Sequence, residues 1–297
     1  MSAVLPGLRP TDRGWAVVHD GVEIAHYATT PDPAPFEGPK PYLHPLRTLA
    51  GDVVTNHRPH DHRWHKGLQL TCTDLSGANL WGGNTWVQGE GYVPLDNVGR
   101  MDADGPVAAA DGALSHRLVW RTARGDDLVR EERRLAFRAH DGVTWSLEWR
   151  STLTALTPEP LSFGSPATRG LPGSGYSGLM WRGPRSFSGG RVLLPSGETP
   201  EEDARGAEAA WLAFVGAHDG VDRSSTLVFE PILTPDRIAT RWFVRSAEFA
   251  IVNPSWAFTE PFPLAPGESI DIAHRVTVAD GAWDVEDVER HRVEATR

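Results

Sequence analysis

Apolar and polar residues alternate along much of the chain, in short stretches that predict β-strands. The clearest stretch is "VTWSLEWRSTLTAL", where Val143, Trp145, Leu147 and Trp149 recur at every second position. That spacing places them on one face of a strand. The earlier stretch "GWAVVHDGVEIAHYA" predicts two strands joined by an Asp-Gly turn.

The same pattern continues to the end of the chain, and turn residues separate the strands. The 30 glycines and 24 prolines are suited to such turns. Asp141 and Gly142 predict a second hairpin. The strands follow one another without intervening helical stretches, which argues against a parallel βαβ fold. The other predicted strands are "LSHRLVWRT", "LVREERRLAFRA", "GLQLTCTDL", "WLAFVGA", "STLVFE", "RWFVRS", "FAIVNP" and "IDIAHRVTV".

These patterns predict an all-β protein, a large antiparallel two-sheet sandwich with few helices. The length of 297 residues suits one large all-β domain, and no break in composition marks a linker. We therefore expect residues 1–297 to form a single domain. A short C-terminal helix is predicted in "AWDVEDVERHRVEA". Proline-rich residues 29–41 are expected to span a face or pack near a site, and acidic residues 195–210 to be solvated surface.

The charge balance narrows the choice of partners. The chain has 29 Lys and Arg against 39 Asp and Glu, a net charge of −10, and no basic block. This argues against nucleic acid or an anionic membrane as a partner. No apolar run reaches the length of a membrane span, so we expect a cytoplasmic protein. Homo-oligomerisation is left open. The single cysteine, Cys72, is predicted to be a buried strand thiol.

Motifs for common cofactors are absent from the sequence. There is no phosphate-binding P-loop, no dinucleotide-binding glycine motif after a strand, and no H-E-x-x-H. One cysteine cannot form a cysteine-rich zinc site or an iron–sulfur cluster. We therefore expect no cofactor.

Four of the twelve histidines lie close together in "NHRPHDHRWHKGL", residues 56–68. His60 and His62 would share a face of an extended segment, whereas His62 and His65 would share a face of a helical turn. Three interpretations compete. The histidines, with His57, belong to a solvated loop, or they bind a metal together with Asp61, or they exchange protons with a substrate. No second cluster supplies further metal ligands, so we favour acid–base chemistry and expect no bound metal.

Twelve tryptophans are many for this length, and some lie in turn-like settings such as "NLWGGNTW" and "LMWRGPRS". Aromatic rings stack on sugar rings, while Arg, Asn and His side chains bind hydroxyl groups. Each tryptophan has core packing as its alternative. As a group they predict a carbohydrate pocket. Its tryptophans would be Trp64, Trp81, Trp181 and Trp256, and its polar residues Arg182, Arg245 and Asn253.

The segment "YLHPLRTLAGDVVTNHRPHDHRWHKGL" resembles a bacterial family known as PmoA-like, or "methane oxygenase PmoA". "GYSGLMWRGPRSFSGG" and "WFVRSAEFAIVNP" are also similar to that family, so the resemblance spans nearly the whole chain. A methane monooxygenase subunit is a membrane protein and this chain has no membrane span, so we take no activity from the label. The matching residues are Tyr42, His44, Pro45, Asp61, His62, His65, Lys66, Gly67 and Leu68.

A weaker resemblance is to the galactose mutarotase-like β-supersandwich. Those enzymes have an early histidine beside a glycine, a second histidine mid-chain and a late glutamate base, and they end in a strand, an L-x-P-G-E turn and a last strand. "FPLAPGESIDIAHRVTV" is similar to that ending, and His65 could be the early histidine. Asn253 stands where the late carboxylate is expected. An amide does not titrate, so the base would come from the histidines, or the substrate would carry an acidified C–H.

Together these features predict a carbohydrate-active enzyme of the epimerase, lyase or hydrolase type, acting on a sugar, a keto-sugar or a glycoside. His62 and His65 would transfer protons, and Asp61 would fix an imidazole tautomer. The alternatives are a non-catalytic carbohydrate-binding protein and a metal-dependent His/Asp enzyme. The candidate substrate-binding residues are His44, Trp81, Tyr176, Trp181, Arg182, Arg245 and Asn253.

Overall fold

Short strands make up most of the fold. The structure is a computed structural model, and it describes residues 4–295. The strands are β1 (Gly7–Thr11), β2 (Gly14–His19), β3 (Val22–Ala28), β4 (Tyr42–Leu46), β5 (Leu68–Thr71), β6 (Asp74–Leu75), β7 (Thr85–Val87), β8 (Gly91–Val93), β9 (Arg100–Ala103), β10 (Ala108–Ala110), β11 (Ala113–Arg121), β12 (Asp127–Ala139), β13 (Thr144–Ala155), β14 (Leu161–Gly164), β15 (Gly178–Arg182), β16 (Arg191–Leu194), β17 (Gly197–Glu198), β18 (Leu212–Ala217), β19 (Ser224–Leu233), β20 (Arg241–Arg245), β21 (Ile251–Ser255), β22 (Phe262–Leu264) and β23 (Ser269–Asp280). The helices are α1 (Glu201–Ala204) and α2 (Val285–Ala295), with 3₁₀ turns at Pro35–Glu37, Ala167–Arg169 and Arg185–Phe187.

Two large antiparallel sheets contain most of these strands. The eight-stranded sheet has the order β1-β2-β3-β4-β5-β15-β21-β20. The ten-stranded sheet has the order β10-β11-β12-β13-β23-β19-β18-β16-β17, and β9 pairs with β11. A three-stranded sheet, β22-β14-β6, and the β7-β8 hairpin complete the set. The prediction of an all-β antiparallel two-sheet fold with few helices is confirmed.

The two large sheets share one hydrophobic core. Leu43, Leu68 and Trp181 from the eight-stranded sheet belong to the same buried cluster as Leu147 and Phe214 from the ten-stranded sheet. Burial of such side chains is the main favourable term in folding. The expectation that residues 1–297 form a single domain stays a prediction. α2 coincides with the predicted C-terminal helix.

The first hairpin has the predicted turn. β2 and β3 are joined by Asp20 and Gly21, with φ angles of 47° and 82°. Two successive positive φ angles are the signature of a type I′ turn, whose twist matches that of the flanking strands.

The alternating pattern in β13 begins two residues later than predicted. Trp145, Leu147 and Trp149 are fully buried, but Val143 is 49% exposed. A side-chain oxygen of Asp141 accepts hydrogen bonds from the backbone N–H groups of Val143 and Thr144, at 2.8 and 2.7 Å. These bonds keep Val143 in the turn, outside the strand.

No helix among residues 4–295 has both the length and the apolar character that crossing a membrane requires.

A buried histidine predicts acid sensitivity. His274 on β23 is 1% exposed, and neither ring nitrogen has a hydrogen-bond partner among the described residues. Burial lowers the pKa of His274 to about 4. Below pH 6.5 the unfolded chain takes up this proton and the folded chain does not, so stability falls as the pH drops from about 6.5 to 4. We expect His274→Leu to remove up to roughly 3 kcal/mol of that loss.

Urea unfolding at pH 7 and at pH 4.5 tests this prediction. The control is His60→Leu, at an exposed histidine, in which the acid loss assigned to His274 should persist. An acid loss in His274→Leu equal to that of the wild type would contradict the assignment.

Candidate functional site

The candidate site lies on the face of the eight-stranded sheet that is turned away from the ten-stranded sheet. On β15, Leu179 and Trp181 belong to the shared core, whereas Met180 belongs to a separate cluster with Phe243 and Ile251. Alternate residues of a strand point to opposite faces. The histidine-rich residues 56–67 adjoin this strand, because the N–H of Asn56 donates to the carbonyl of Arg182 and the N–H of Arg182 donates to the carbonyl of Gly67.

Two consecutive turns bring His62 and His65 together. The N–H of His62 donates to the carbonyl of Pro59, and the N–H of His65 donates to the carbonyl of His62, both at 2.9 Å. The two imidazole rings stack with their centroids 4.8 Å apart and their planes at 25°. His62 and His65 therefore lie side by side, as in the second predicted arrangement, although two successive turns and not a helical turn bring them together. Gly67 ends the loop with φ of 67°, and a Cβ there would lie 2.2 Å from the carbonyl oxygen of Leu43.

His62 and His65 line a cleft of about 480 Å³, within the usual size range of small-molecule sites. Six aromatic residues besides the two histidines line its wall. The ring of Tyr176 lies 4.7 Å from that of Trp81 and 5.1 Å from that of Phe243, measured between centroids. The other aromatic residues of the wall are Trp64, Tyr92 and Phe249, and its polar residues are Asn84, Ser174 and Arg245.

Asp61 orients His62. Nδ1 of His62 lies 3.1 Å from Oδ2 of Asp61, and Oδ1 of Asp61 accepts a hydrogen bond from Arg185 at 3.0 Å. Burial would raise the pKa of Asp61, but hydrogen bonds to His62 and the backbone and the charge of Arg185 lower it. An ionised carboxylate at this position favours the tautomer with hydrogen on Nδ1, which leaves Nε2 of His62 as a proton acceptor.

His65 is a neutral imidazole at physiological pH. It is 3% exposed, and burial together with the charges of His62, Arg182 and Lys40 holds its pKa well below the ordinary value. Its ring meets that of Trp81 edge-on at 5.8 Å. Nδ1 of His65 is buried and has no partner among the described residues. His65 is thus suited to hydrogen bonding and not to proton donation from an imidazolium.

A buried guanidinium lies behind the cleft. Arg182 is 1% exposed and stacks on the ring of Phe249, with Cζ 4.0 Å from the ring centroid. Its Nε and Nη1 atoms have no hydrogen-bond partner within residues 4–295. Burial lowers the pKa of Arg182 to about 10, so the group stays charged at neutral pH. Phe249 is also 5.3 Å from His62, which places this positive charge beside the histidine pair.

The proline-rich segment supports the histidine loop. The carboxylate of Glu37 accepts two hydrogen bonds from Arg58, at 2.8 and 2.6 Å, and lies 3.6 Å from Nζ of Lys66. Nζ of Lys40 donates to the carbonyl of Trp81 at 3.0 Å. Of the two roles predicted for residues 29–41, packing near a site is therefore the one observed.

A family match covers nearly the whole chain. Residues 14–292 match the family described as "Family of unknown function (DUF6807)". The chain belongs to the DUF6807 family. This match does not support the resemblance to the PmoA-like family, which stays a prediction. No curated protein matches the chain.

Several solved structures are similar, at low identity. A candidate aldose 1-epimerase from Klebsiella pneumoniae has 13% identity and a TM-score of 0.34 over 63% of this chain and 56% of its own. The α-galactosidase from Lactobacillus brevis has 7% identity and a TM-score of 0.38 over 93% and 39%. The α-galactosidase AgaA from Geobacillus stearothermophilus has 11% and 0.37 over 95% and 41%. This chain thus spans about two fifths to just over half of their lengths. We draw no argument from similarity at this level, and the fold rests on the sheets described above.

Several predicted site residues do not line the cleft, and Arg182 and Asp61 are among them. Trp181 is fully buried between the sheets, and its indole N–H donates to the carbonyl of Val54 at 2.8 Å. The Asn253 amide accepts a hydrogen bond from the N–H of Ser177 and donates to the carbonyl of Leu179. Its polar atoms are thus occupied in joining backbone segments. These placements correct the expectation that Trp181 and Asn253 contact substrate. Trp256, 2% exposed, also belongs to the core.

His44 also lies away from the cleft wall. Its ring stacks on that of His57 at 5.0 Å, and its Nδ1 is 2.9 Å from the hydroxyl of Thr55. Burial and the charges of neighbouring cationic groups lower the pKa of His44 to about 3. His44 is thus a neutral side chain that packs on His57 outside this cleft, and its assignment to substrate binding stays a prediction.

The histidines of residues 56–68 point in different directions. His57 stacks with His44, His60 meets Arg185 at 3.0 Å, and His62 and His65 form their own pair. Within the part of the chain that the structure describes, no group of three or more His, Cys, Asp and Glu side chains could hold a metal ion.

We predict that the protein purifies without a stoichiometric transition metal. Two stacked imidazoles with one adjacent carboxylate do not supply the three or four converging ligands that zinc sites use. Elemental analysis of protein produced without a histidine tag should find well under one equivalent. One equivalent that is lost in His62→Ala would revive the metal-dependent alternative.

An acidic side chain predicted to be solvated helps to build the cleft. Glu201 at the start of α1 accepts hydrogen bonds from the N–H groups of Ser246 and Ala247, at 2.7 and 3.0 Å, and from Arg245 at 3.2 Å. It therefore anchors the loop that carries Phe249. This corrects the interpretation of residues 195–210 as surface alone.

Sequence patterns did not identify Tyr92, Phe243 or Phe249 as site residues. Each is a single aromatic residue in a short strand or loop. A weak signal exists in "WFVRSAEF", where Phe243 and Arg245 alternate with core residues on β20.

Proposed function

We propose that this protein is a carbohydrate-active enzyme that moves a proton on a keto-sugar or its glycoside. The observation that carries the proposal is the histidine pair. His62 is oriented by Asp61 and stacked on the neutral His65 at the wall of an aromatic cleft. This arrangement offers one proton acceptor beside one hydrogen-bonding imidazole.

In the proposed reaction, Nε2 of His62 takes a proton from the carbon next to the substrate carbonyl. The C–H electron pair forms a carbon–carbon double bond, and the carbonyl oxygen becomes an enolate. The positive charges of Arg182 and of protonated His62 stabilise the negative charge on that oxygen. Protonation of the enolate carbon by solvent water on the opposite face gives an epimer, and His62 then releases its proton to solvent. Departure of the group on the next carbon, which takes the proton from His62, gives an elimination.

The cleft wall suits a sugar ring. The rings of Trp81, Tyr176 and Phe243 offer surfaces for the apolar face of a pyranose. Burial raises the pKa values of Tyr92 and Tyr176, so both phenols keep their protons at neutral pH. Because the two hydroxyl groups share one hydrogen bond, one of the two protons remains free to be donated to a substrate oxygen.

A keto-sugar is favoured over a plain sugar because the cleft has few titratable groups. No Asp or Glu side chain lines it among the described residues. Most glycoside hydrolases use a pair of such carboxylates. With one oriented histidine as base, the substrate must supply an acidified C–H, and a carbonyl on the neighbouring carbon provides it.

The same lack of carboxylates favours a second candidate, a non-catalytic sugar-binding protein. In that case the histidines would only bind hydroxyl groups. Binding without any exchange of substrate hydrogen would distinguish this candidate from the enzyme.

The test compares a keto-glucoside with plain sugars. We expect deuterium from solvent to appear next to the carbonyl of the keto-glucoside, seen by NMR, because His62 exchanges its proton with water. Anomeric exchange of glucose and galactose should stay near the uncatalysed rate. Fast mutarotation of the plain sugars that persists in both His62→Ala and His65→Ala would refute the proposal.

A further inference from the structure

A second cavity adjoins the cleft and takes no part in the chemistry proposed above. It has a volume of about 550 Å³. The wall between the two cavities is shared, because the same residues line both. These are Trp81, Gly82, Asn84, Tyr92 and Tyr176.

The shared wall contains a pair of phenols. The hydroxyl groups of Tyr92 and Tyr176 share a hydrogen bond at 2.7 Å. Tyr92 also bonds to Ser174, which lines the first cavity. A ligand that extends from one cavity to the other would therefore pass hydroxyl groups that are already oriented.

The second cavity has the chemistry of a sugar subsite. The rings of Trp86 and Tyr92 meet edge-on at 5.4 Å, and the indole N–H of Trp86 donates to the carbonyl of Arg169 at 3.1 Å, which fixes the indole. The exposed Gln88 lines the cavity and has no hydrogen-bond partner among residues 4–295. Asp74 and Arg169 form an ion pair on the same wall. One fixed aromatic face among amide and charged groups suits a sugar ring better than an apolar group.

We propose that the second cavity is a subsite for a second sugar unit, so that the ligand is a disaccharide or a longer glycoside. This inference rests on the proposed function. His62 and His65 line only the first cavity, whereas Trp86 and Gln88 line only the second. The reacting unit therefore lies beside the histidines, and the linked unit lies beside Trp86.

Joining two units raises affinity because the second unit binds at a high effective concentration once the first is in place. We expect a disaccharide to bind at least about tenfold more tightly than its single unit, which is the scale of one stacked ring with one or two hydrogen bonds. Removal of Trp86 should abolish that advantage without weakening single units.

The experiment is a calorimetric titration of the whole protein. The single-unit probes are glucose, galactose and a methyl keto-glucoside. The two-unit probes are cellobiose, maltose, lactose and a keto-disaccharide. The variants are Trp86→Ala and Gln88→Ala, and the control is Trp15→Ala on β2, a tryptophan that lines neither cavity.

The expected result is a two-unit preference in the wild type and in Trp15→Ala. That preference should be lost in Trp86→Ala and reduced several-fold in Gln88→Ala, with single-unit affinities within about twofold of the wild type. Gln88→Ala keeps the test valid if Trp86→Ala does not fold, because Gln88 is exposed.

Two outcomes would overturn the subsite. One is a wild type that binds single units as tightly as every two-unit probe. The other is an equal loss of single-unit and two-unit affinity in the variants. In both cases the proposed function survives, because single units still bind. Binding of none of the seven probes would refute the proposed function and the subsite together.

Discussion

Replacing His62 with alanine is expected to lower turnover of a keto-glucoside by about a hundred- to ten-thousand-fold, the usual contribution of a positioned general base. The side chain is partly exposed in a surface loop, so its loss should barely change the melting temperature. Asp61→Asn should cost less, because the amide keeps a hydrogen bond to Nδ1 but loses the charge that favours the reactive tautomer.

The same loop offers a matched control. His60 is exposed and its Nδ1 contacts Arg185, not the cleft. His60→Ala should therefore retain turnover within about twofold of the wild type, since surface changes away from a site have small effects. Equal turnover in His62→Ala and wild type would show that His62 is not the base. Equal losses in His60→Ala and His62→Ala would show that the loop acts through its conformation.

The variant His65→Ala tests whether His65 binds the substrate through a hydrogen bond or transfers a proton. Its pKa is held well below the ordinary value, so it cannot donate a proton as an imidazolium at neutral pH. We expect its removal to lower turnover without shifting the pH at which turnover declines on the acid side. A shift in that limb would show that His65 titrates in the reaction.

The strands could be predicted from the sequence because burial imposes a period of two on exposed and core positions. The presence of a turn at Asp20 and Gly21 could be predicted from residue chemistry alone, and the structure shows that it is of type I′. The sequence allowed two arrangements of the histidines, and in one of them His62 and His65 lie side by side. Backbone hydrogen bonds in two successive turns stabilise that arrangement.

The remaining site residues could not be predicted, and "GLMWRG" shows why. Leu179 and Trp181 face the core while Met180 faces the other side, yet apolar residues occupy both faces of this strand. The sequence of such a strand does not indicate which face packs between the two sheets and which faces the cleft. Trp181 is therefore predicted in the pocket although it lies in the core. The cleft also depends on Phe249, which reaches the histidines only through the pairing of β15 with β21.

The buried Glu37 beneath the histidine loop is expected to contribute strongly to the stability of the protein. Glu37 is 1% exposed and is the carboxylate that balances Arg58 and the buried Lys66. Glu37→Gln keeps the size of the side chain but removes its charge. Breaking a buried ion pair by neutralising one partner costs about 3–5 kcal/mol, because the other charge stays desolvated. We expect a loss of unfolding free energy on this scale, measured by urea denaturation at pH 7.

The pH dependence of that loss identifies its cause. Burial lowers the pKa of Lys66 to about 8, although Glu37 opposes the shift. The unfolded lysine holds its proton up to about pH 10.5, so the folded state gains stability relative to the unfolded state between about pH 8 and 10.5. Above pH 8, Lys66 is largely neutral in the folded protein and needs no counter-charge. The loss in Glu37→Gln should therefore be smaller at pH 9.5 than at pH 7.

Glu198→Gln is the control, since Glu198 forms an exposed pair with Arg191 and its removal should cost under about 1 kcal/mol at both pH values. A loss in Glu37→Gln as small as that of Glu198→Gln would mean that Lys66 and Arg58 do not depend on this carboxylate, and that the histidine loop is held by its backbone bonds alone.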